Sequence, residues 1–207
     1  MGEAEIHLSK ICKRFARVVP AQDPYPTSFE KKKDPYRALV RAIVYQQLSG
    51  KAAGTIHGRM IALFPDKDHP DPEDLLAASP EVLRGAGLSR QKIAALKDVS
   101  QKRIEGIIPE ARKLARMRDE EIIERLTAAR GVGRWTVEMY LMFTLGRPDV
   151  LPVDDLGVRK GAEKLYRRAF TPKTLARYGA RWTPWRSAAA WHLWRYVDTQ
   201  TPERSTT

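Results

Sequence analysis

Along almost all of this 207-residue chain the apolar side chains recur at helical spacing, and the strict alternation of a half-buried strand is hard to find. A chain patterned in this way must bury stripes of helix against one another, so the expected fold is all-α. Prolines and glycines set the breaks. Asp34-Pro35 opens a helix over residues 36–47 with proline at its first position. Ser49-Gly50 breaks it, and KAAGTIHGRMIALF forms the next, ending before Pro65. Pro70, Pro72 and Pro80 punctuate short pieces around EDLLAA and EVLRGA. Gly85-Ala86-Gly87 then turns into a longer helix for which Ser89 is the N-cap. DEEIIERLTAA follows Pro109 with acidic residues in its first turn, and further helices fit residues 155–169, 172–178 and 184–197. The EKKKD run (30–34) and the TPERSTT tail (201–207) read as solvated and mobile. The length suits one domain, or two small helical lobes facing a cleft.

A formal net charge of +12 points to a polyanionic partner rather than to a merely soluble surface. The single cysteine, Cys12, excludes a disulfide framework and any cysteine-ligated metal or iron–sulfur cluster. His57, His69 and His192, with His7 near the terminus, show no metal-ligand spacing. The N-terminus carries no apolar signal core, and no apolar run is long enough to span a bilayer. A cytosolic location is expected, nucleoid-associated in a prokaryote, or a nuclear one in a eukaryote.

The segment LTAARGVGRWTVEMY (126–140) reads as a helix, a tight turn and a second helix. Gly131 and Gly133 allow φ > 0 and expose backbone N–H groups where the next helix dipole is positive, a seat for phosphate that reads no base identity. The plainer possibility is a helix connection with glycine at the C-cap. Arg130 and Arg134 flank the turn, and the carbonyls of Thr127, Ala129 and Val132 could converge on a monovalent cation.

In LPVDDLGVRKG (151–161) two carboxylates precede a helix. Asp154 suits the N-cap, leaving Asp155 in the first turn to project into a cleft. A carboxylate beside a nucleotide sugar stabilises an oxocarbenium-like transition state and orients water, although both aspartates could simply be capping residues. Of five tryptophans, Trp182 and Trp191 are expected in the core. Trp135 shares a turn with the glycines, and indoles beside a carboxylate suit a flat, electron-poor or cationic ring.

At these residues the chain resembles the helix-hairpin-helix DNA glycosylase superfamily, most closely its 3-methyladenine DNA glycosylase II branch. The matching pieces are AIVYQQLSGKAA, GLSRQKIAAL, LTAARGVGRWTVEMYLMF, LPVDDLGVRKG and RWTPWRSAAAWHLWRY, spread in order over residues 36 to 197. The resemblance implies a two-lobed helical fold spanning residues 1–207 as one unit, with hairpin and catalytic region at about 119–170. It implies a monofunctional, monomeric enzyme that flips an alkylated base (3-methyladenine, 7-methylguanine) out of damaged double-stranded DNA and hydrolyses its N-glycosidic bond without a cofactor. It makes Asp155 the catalytic carboxylate, with Asp154 the second candidate, and places Trp135, Trp194, Tyr45 and Met139 around the base. Gln47, or failing it Leu48, would fill the gap left by the flipped base. Arg90, Arg130, Gly131, Gly133, Arg134 and Thr136 would contact DNA.

The departures are informative. Bifunctional relatives carry a lysine where this chain has Trp135, so no Schiff base is expected there. The C-terminal four-cysteine cluster of some relatives is missing, the compact form without the N-terminal β-rich domain of longer bacterial members is expected, and Met139 replaces an aromatic pocket residue found in some members. Two other readings remain at this point: a glycosylase for neutral lesions such as hypoxanthine or etheno adducts, and a non-catalytic DNA-binding module.

Overall fold

The computed structural model describes residues 2–26 and 34–198. Among them the chain forms thirteen α-helices, two short 3₁₀ turns and no strand, as the helical spacing requires. All but residue Asp34 of the EKKKD run, and all of the TPERSTT tail, lie outside the described residues. No helix among the described residues is long and apolar enough to cross a membrane.

Two helices come first that the apolar spacing did not single out: α1 (Glu3–Ile11) and α2 (Phe15–Val18). Helix α3 (Pro35–Tyr45) starts where expected, with Pro35 at its first position and Asp34 accepting from the Tyr36 N–H. It stops two residues early, because Gln46 leaves the helical region and Gln47 turns left-handed at φ 58°. Ser49, expected as a breaker, is also a starter: its hydroxyl caps α4 (Gly50–Ala62) through the Ala52 N–H. The proline-opened α5 (Pro72–Ala77) and α6 (Pro80–Gly85) follow, each with its proline at the start. Next comes α7 (Arg90–Ile104), capped by Ser89 as anticipated. Then come α8 (Ala111–Leu114), α9 (Asp119–Thr127) and α10 (Arg134–Phe143). Helix α11 (Leu156–Tyr166) ends at Arg167, whose φ of 53° terminates it short of residue 169. Finally α12 (Pro172–Gly179) and α13 (Arg186–Asp198) close the chain, Trp185 lying just ahead of α13.

The chain divides into two compact units, one built from Met1–Phe29 with Leu141–Thr207, the other from Glu30–Tyr140. In the second unit the buried faces of α3 and α7 pack together around Leu39, Ile43, Leu96 and Val99. In the first unit α11 lies along α13, and Trp182 is fully buried with Phe15 edge-on at 5.7 Å and Tyr166 stacked at 6.4 Å. That pairing of α11 with α13 positions the carboxylate site.

Candidate active site

The two adjacent aspartates have different surroundings. Asp155 N–H donates to the Pro152 carbonyl at 3.1 Å, closing a turn that leaves Asp154 exposed. Asp155, and not Asp154, is the N-cap of α11. The expected assignment is therefore corrected by one residue: the helix begins at Leu156, so the second aspartate caps and the first stands outside. Asp155 Oδ1 accepts from the Val158 N–H at 2.8 Å and from the indole Nε1–H of Trp194 at 2.7 Å. Two donors on one oxygen hold the carboxylate in a single orientation, and the start of α11 favours its charge.

The indole reaches Asp155 because α11 carries glycine at two positions on the face it turns to α13. A Cβ on Gly161 would collide with the Leu193 carbonyl, and one on Gly157 would sit 2.7 Å from Trp194 Cδ1. Residues four apart share a helix face, so GVRKG opens a continuous channel for α13. That spacing was visible in the sequence, but its meaning needed the partner helix. Trp194 is half-buried, and its ring lies 6.0 Å from Phe143, which is 37% exposed and went unremarked in the sequence. Trp191 corrects another expectation. It is half-buried rather than core, 6.2 Å from Phe143, with Arg195 over its ring. A carboxylate thus stands beside a cluster of three incompletely buried aromatic rings, suited to a flat cationic ligand.

In the other unit α9 and α10 form the hairpin. Gly131 has φ 77°, and a Cβ there would come within 2.9 Å of the Ala95 Cβ, so glycine is required twice over. Gly133 does not share the positive φ expected of it. It is exposed, and a Cβ there would meet nothing within 4 Å, leaving the backbone open to close approach. The Val132 N–H donates to the Ala129 carbonyl at 3.1 Å, closing the turn, while the Thr127 hydroxyl bonds back to Ile123. The first turn of any helix holds donors outside its own ladder, and at α10 these follow Gly133 directly. Arg130 is exposed and its N–H donates to Asp98 at 2.7 Å. Arg134 is bound within the fold: its guanidinium spans both oxygens of Glu120 (2.5 and 3.0 Å) and reaches buried Glu138 at 3.1 Å, partners that raise its pKa further. Trp135 is 47% exposed, Met139 half-buried and Thr136 buried, all on α10.

The α3–α4 loop is held against the hairpin by a contact the sequence did not announce. Gln46 Nε2 donates to the Gly131 carbonyl at 2.8 Å, while Lys92 Nζ on α7 donates to the Val44 carbonyl at 2.6 Å. Gln47 and Leu48 sit exposed just after these ties, Gln47 in a left-handed conformation that residues other than glycine rarely adopt. Tyr45 is half-buried, with Arg41 over its ring at 3.9 Å and His57 edge-on. Arg90 is exposed at the start of α7. Among the described residues no group of three or more His, Cys, Asp and Glu side chains could hold a metal ion.

The model of a family described as HhH-GPD superfamily base excision DNA repair protein matches residues 40–186. DNA-3-methyladenine glycosylase 1 of Schizosaccharomyces pombe is 40% identical over 198 residues, covering 94% of this chain and 87% of that protein. Among solved structures, the S. pombe 3-methyladenine DNA glycosylase (Mag1) in complex with abasic DNA superposes with a TM-score of 0.83 at 40% identity, over 94% of this chain and 96% of that one. The DNA-3-methyladenine glycosidase of Bacillus halodurans gives 0.82 at 35% identity, over 96% and 90% of the two chains.

Proposed function

Because the chain belongs to the HhH-GPD superfamily of base excision DNA repair proteins, we propose that it is a 3-methyladenine-type DNA glycosylase acting as a monomer on damaged duplex DNA. It works where the genome lies, in prokaryotic cytoplasm or a eukaryotic nucleus, and residues 1–207 act as one catalytic unit. The observation that carries the reading is Asp155, held by the Val158 N–H and the Trp194 indole beside half-exposed rings in a chain of charge +12.

The hairpin turn around Gly131 and Gly133, with Arg130, Arg134 and Thr136, holds the DNA backbone, and Arg90 adds a further phosphate contact. Any cation there would take the carbonyls of Thr127, Ala129 and Val132. The α3–α4 loop presents Gln47, with Leu48 beside it, to the gap left by the extruded nucleotide. Extrusion costs a few kcal/mol, less for a damaged and poorly paired base. Trp194 supplies an aromatic face to the alkylated base, and Trp135, Tyr45 and Met139 are the further base-contacting side chains of this reading. 3-Methyladenine and 7-methylguanine nucleotides carry their positive charge on the base. When the C1′–N bond breaks its electron pair leaves with the base and neutralises it, so no general acid is needed. The charge passes to the sugar, where the Asp155 carboxylate stabilises it. Water then forms a bond to C1′ and gives up a proton, leaving an abasic strand and the free base. No step calls for a cofactor.

Base release from methylated duplex DNA, resolved by chromatography, tests this. Wild type is expected to release 3-methyladenine and 7-methylguanine, and Asp155→Asn to lose on the order of a hundredfold or more in rate while still binding DNA. Activity retained in Asp155→Asn but lost in Asp154→Asn would move the chemistry to the neighbour. Faster release of hypoxanthine than of both methylated purines would favour a neutral-lesion enzyme. Borohydride should trap no covalent adduct, since tryptophan at 135 cannot form an imine.

A further inference from the structure

Beyond the catalytic centre, one unit carries a second concentration of chemistry. Two open pockets of about 330 Å³ each are lined in part by consecutive residues, Arg167 in one and Arg168 in the other. Arg14, Arg17, Lys164 and Arg167 line the first, with Tyr196; Arg168, Arg177 and Arg181 line the second, around Tyr178. No carboxylate lines either pocket, and among the described residues none of the seven cations is ion-paired. Elsewhere on the molecule arginines do find acids, as Arg186 does with Asp149 and Arg103 with Asp34.

Four of the seven cations are held in place by contacts that leave their charge unneutralised. Arg14 donates to the Leu165 carbonyl at 2.6 Å and lies over the Tyr166 ring. Lys164 lies over Tyr196, while Arg168 and Arg181 approach the Tyr178 ring at 4.4 and 3.8 Å. Like charges gathered this way repel, so their closeness to one another is a cost to the fold. What the cluster does suit is a ligand with several anionic groups in a row, since the charges come from α2, the end of α11, α12 and the turn after it.

We propose that this tyrosine-walled belt is a second seat for the phosphate backbone of duplex DNA, separate from the hairpin. The choice of duplex DNA as the polyanion rests on the glycosylase reading above. The belt is distinct from the catalytic centre by position: Asp155 caps the start of α11 and the belt surrounds its end, eleven residues later, which is roughly 16 Å along a helix. A duplex carries one negative charge about every 1.7 Å of axis, so a belt of fixed cations displaces several counterions at once. Two such seats let the protein keep one stretch of DNA while it samples another.

The test is the salt dependence of binding to an undamaged duplex by the full chain. Arg17, Arg167 and Arg177 are exposed and make no side-chain hydrogen bond or ring contact among the described residues, so a triple change of each to Ser removes charge without removing a tie. The expected result is weaker binding and a log–log salt slope smaller by about 2 to 3, near 0.9 per lost phosphate contact. A control loses the same charge at exposed Lys10, Arg84 and Lys113 and is expected to change the slope by less than about 1. An unchanged slope in the belt variant, or an equal change in the control, overturns the proposal. So does a slope that falls on single-stranded RNA but not on duplex DNA. Base release by the wild type is followed alongside. Release with an unaltered belt slope removes the belt alone; no release with a reduced slope upholds the belt and removes the glycosylase reading.

Discussion

At the scale of single residues, the decisive contact is the one between Trp194 and Asp155, and Gly157 makes it available. A methyl group at 157 would lie 2.7 Å from Trp194 Cδ1 and 3.0 Å from its Nε1, so the indole has to move and release the carboxylate. Gly157→Ala and Trp194→Phe are both expected to slow base release about tenfold, the scale of one charge-assisted hydrogen bond. Undamaged DNA affinity should hardly change, and the double variant should be no worse than the poorer single, since both remove one interaction. Single-turnover excision decides this; a Gly157→Ala enzyme as fast as wild type would show that the bond is idle. Asp155 has a structural duty as well. Asn caps a helix as well as Asp does, so Asp155→Asn separates chemistry from folding, whereas Asp155→Ala should also lose about 1 kcal/mol of stability. The aspartate pair was legible as a site in the sequence. Which aspartate capped was not, because either one suits an N-cap and the choice turns on a helix start one residue away.

At the scale of elements, the hairpin shows how two glycines in one motif do different work. Gly131→Ala meets both a left-handed φ and the Ala95 side chain, and is expected to destabilise the protein by about 1–2 kcal/mol or more. Gly133→Ala enters open space; it should leave thermal unfolding unchanged and weaken duplex binding, because the methyl group stands where the backbone must approach phosphate. Melting curves and binding isotherms on the two variants check the division. A Gly133→Ala protein that binds undamaged duplex like wild type would mean that phosphate does not approach there. Local chemistry made this element readable, since a glycine turn and an acidic first turn act over a few residues. The Gln46 tie to Gly131 spans 85 positions, and nothing near either residue encodes it. Helices α1 and α2 were missed because no capping side chain or proline announces where either begins: Gly2 and Arg14 precede them without a side-chain cap.

At the scale of the whole molecule, the fold lowers the pKa of three histidines. His192 is fully buried; burial lowers its pKa, Arg195 adds to this, and Glu5 only partly opposes it. His57 is lowered by burial, His69 and Arg41, and His69 by burial and Arg37 against the Pro70 carbonyl, Asp34 and Asp71. In the unfolded chain each titrates near 6.5. As pH falls through that value the unfolded chain takes up protons that the folded one refuses, so stability is complete above it and lost below. Glu5 adds to the loss below 4.5: burial raises its carboxyl, but the Tyr25 and Glu5 backbone N–H groups and His192 outweigh that and lower it overall. Denaturant midpoints should therefore fall steadily between about pH 7 and about pH 5; a flat profile would contradict the lowered histidine pKa values. The sequence by itself determined the helical class, the hairpin and the basic charge, because spacing, turn chemistry and composition act locally, while its resemblance to a family supplied the short list of candidates containing Asp155 and Trp194. Only the tertiary structure decided that Trp194 bonds Asp155 across Gly157, that Phe143 joins the aromatic cluster, and that cations from residues 14–17, 164–168 and 177–181 line two pockets of one unit. Those are meetings of distant segments, and no local pattern in a chain records which of its faces will come to lie together.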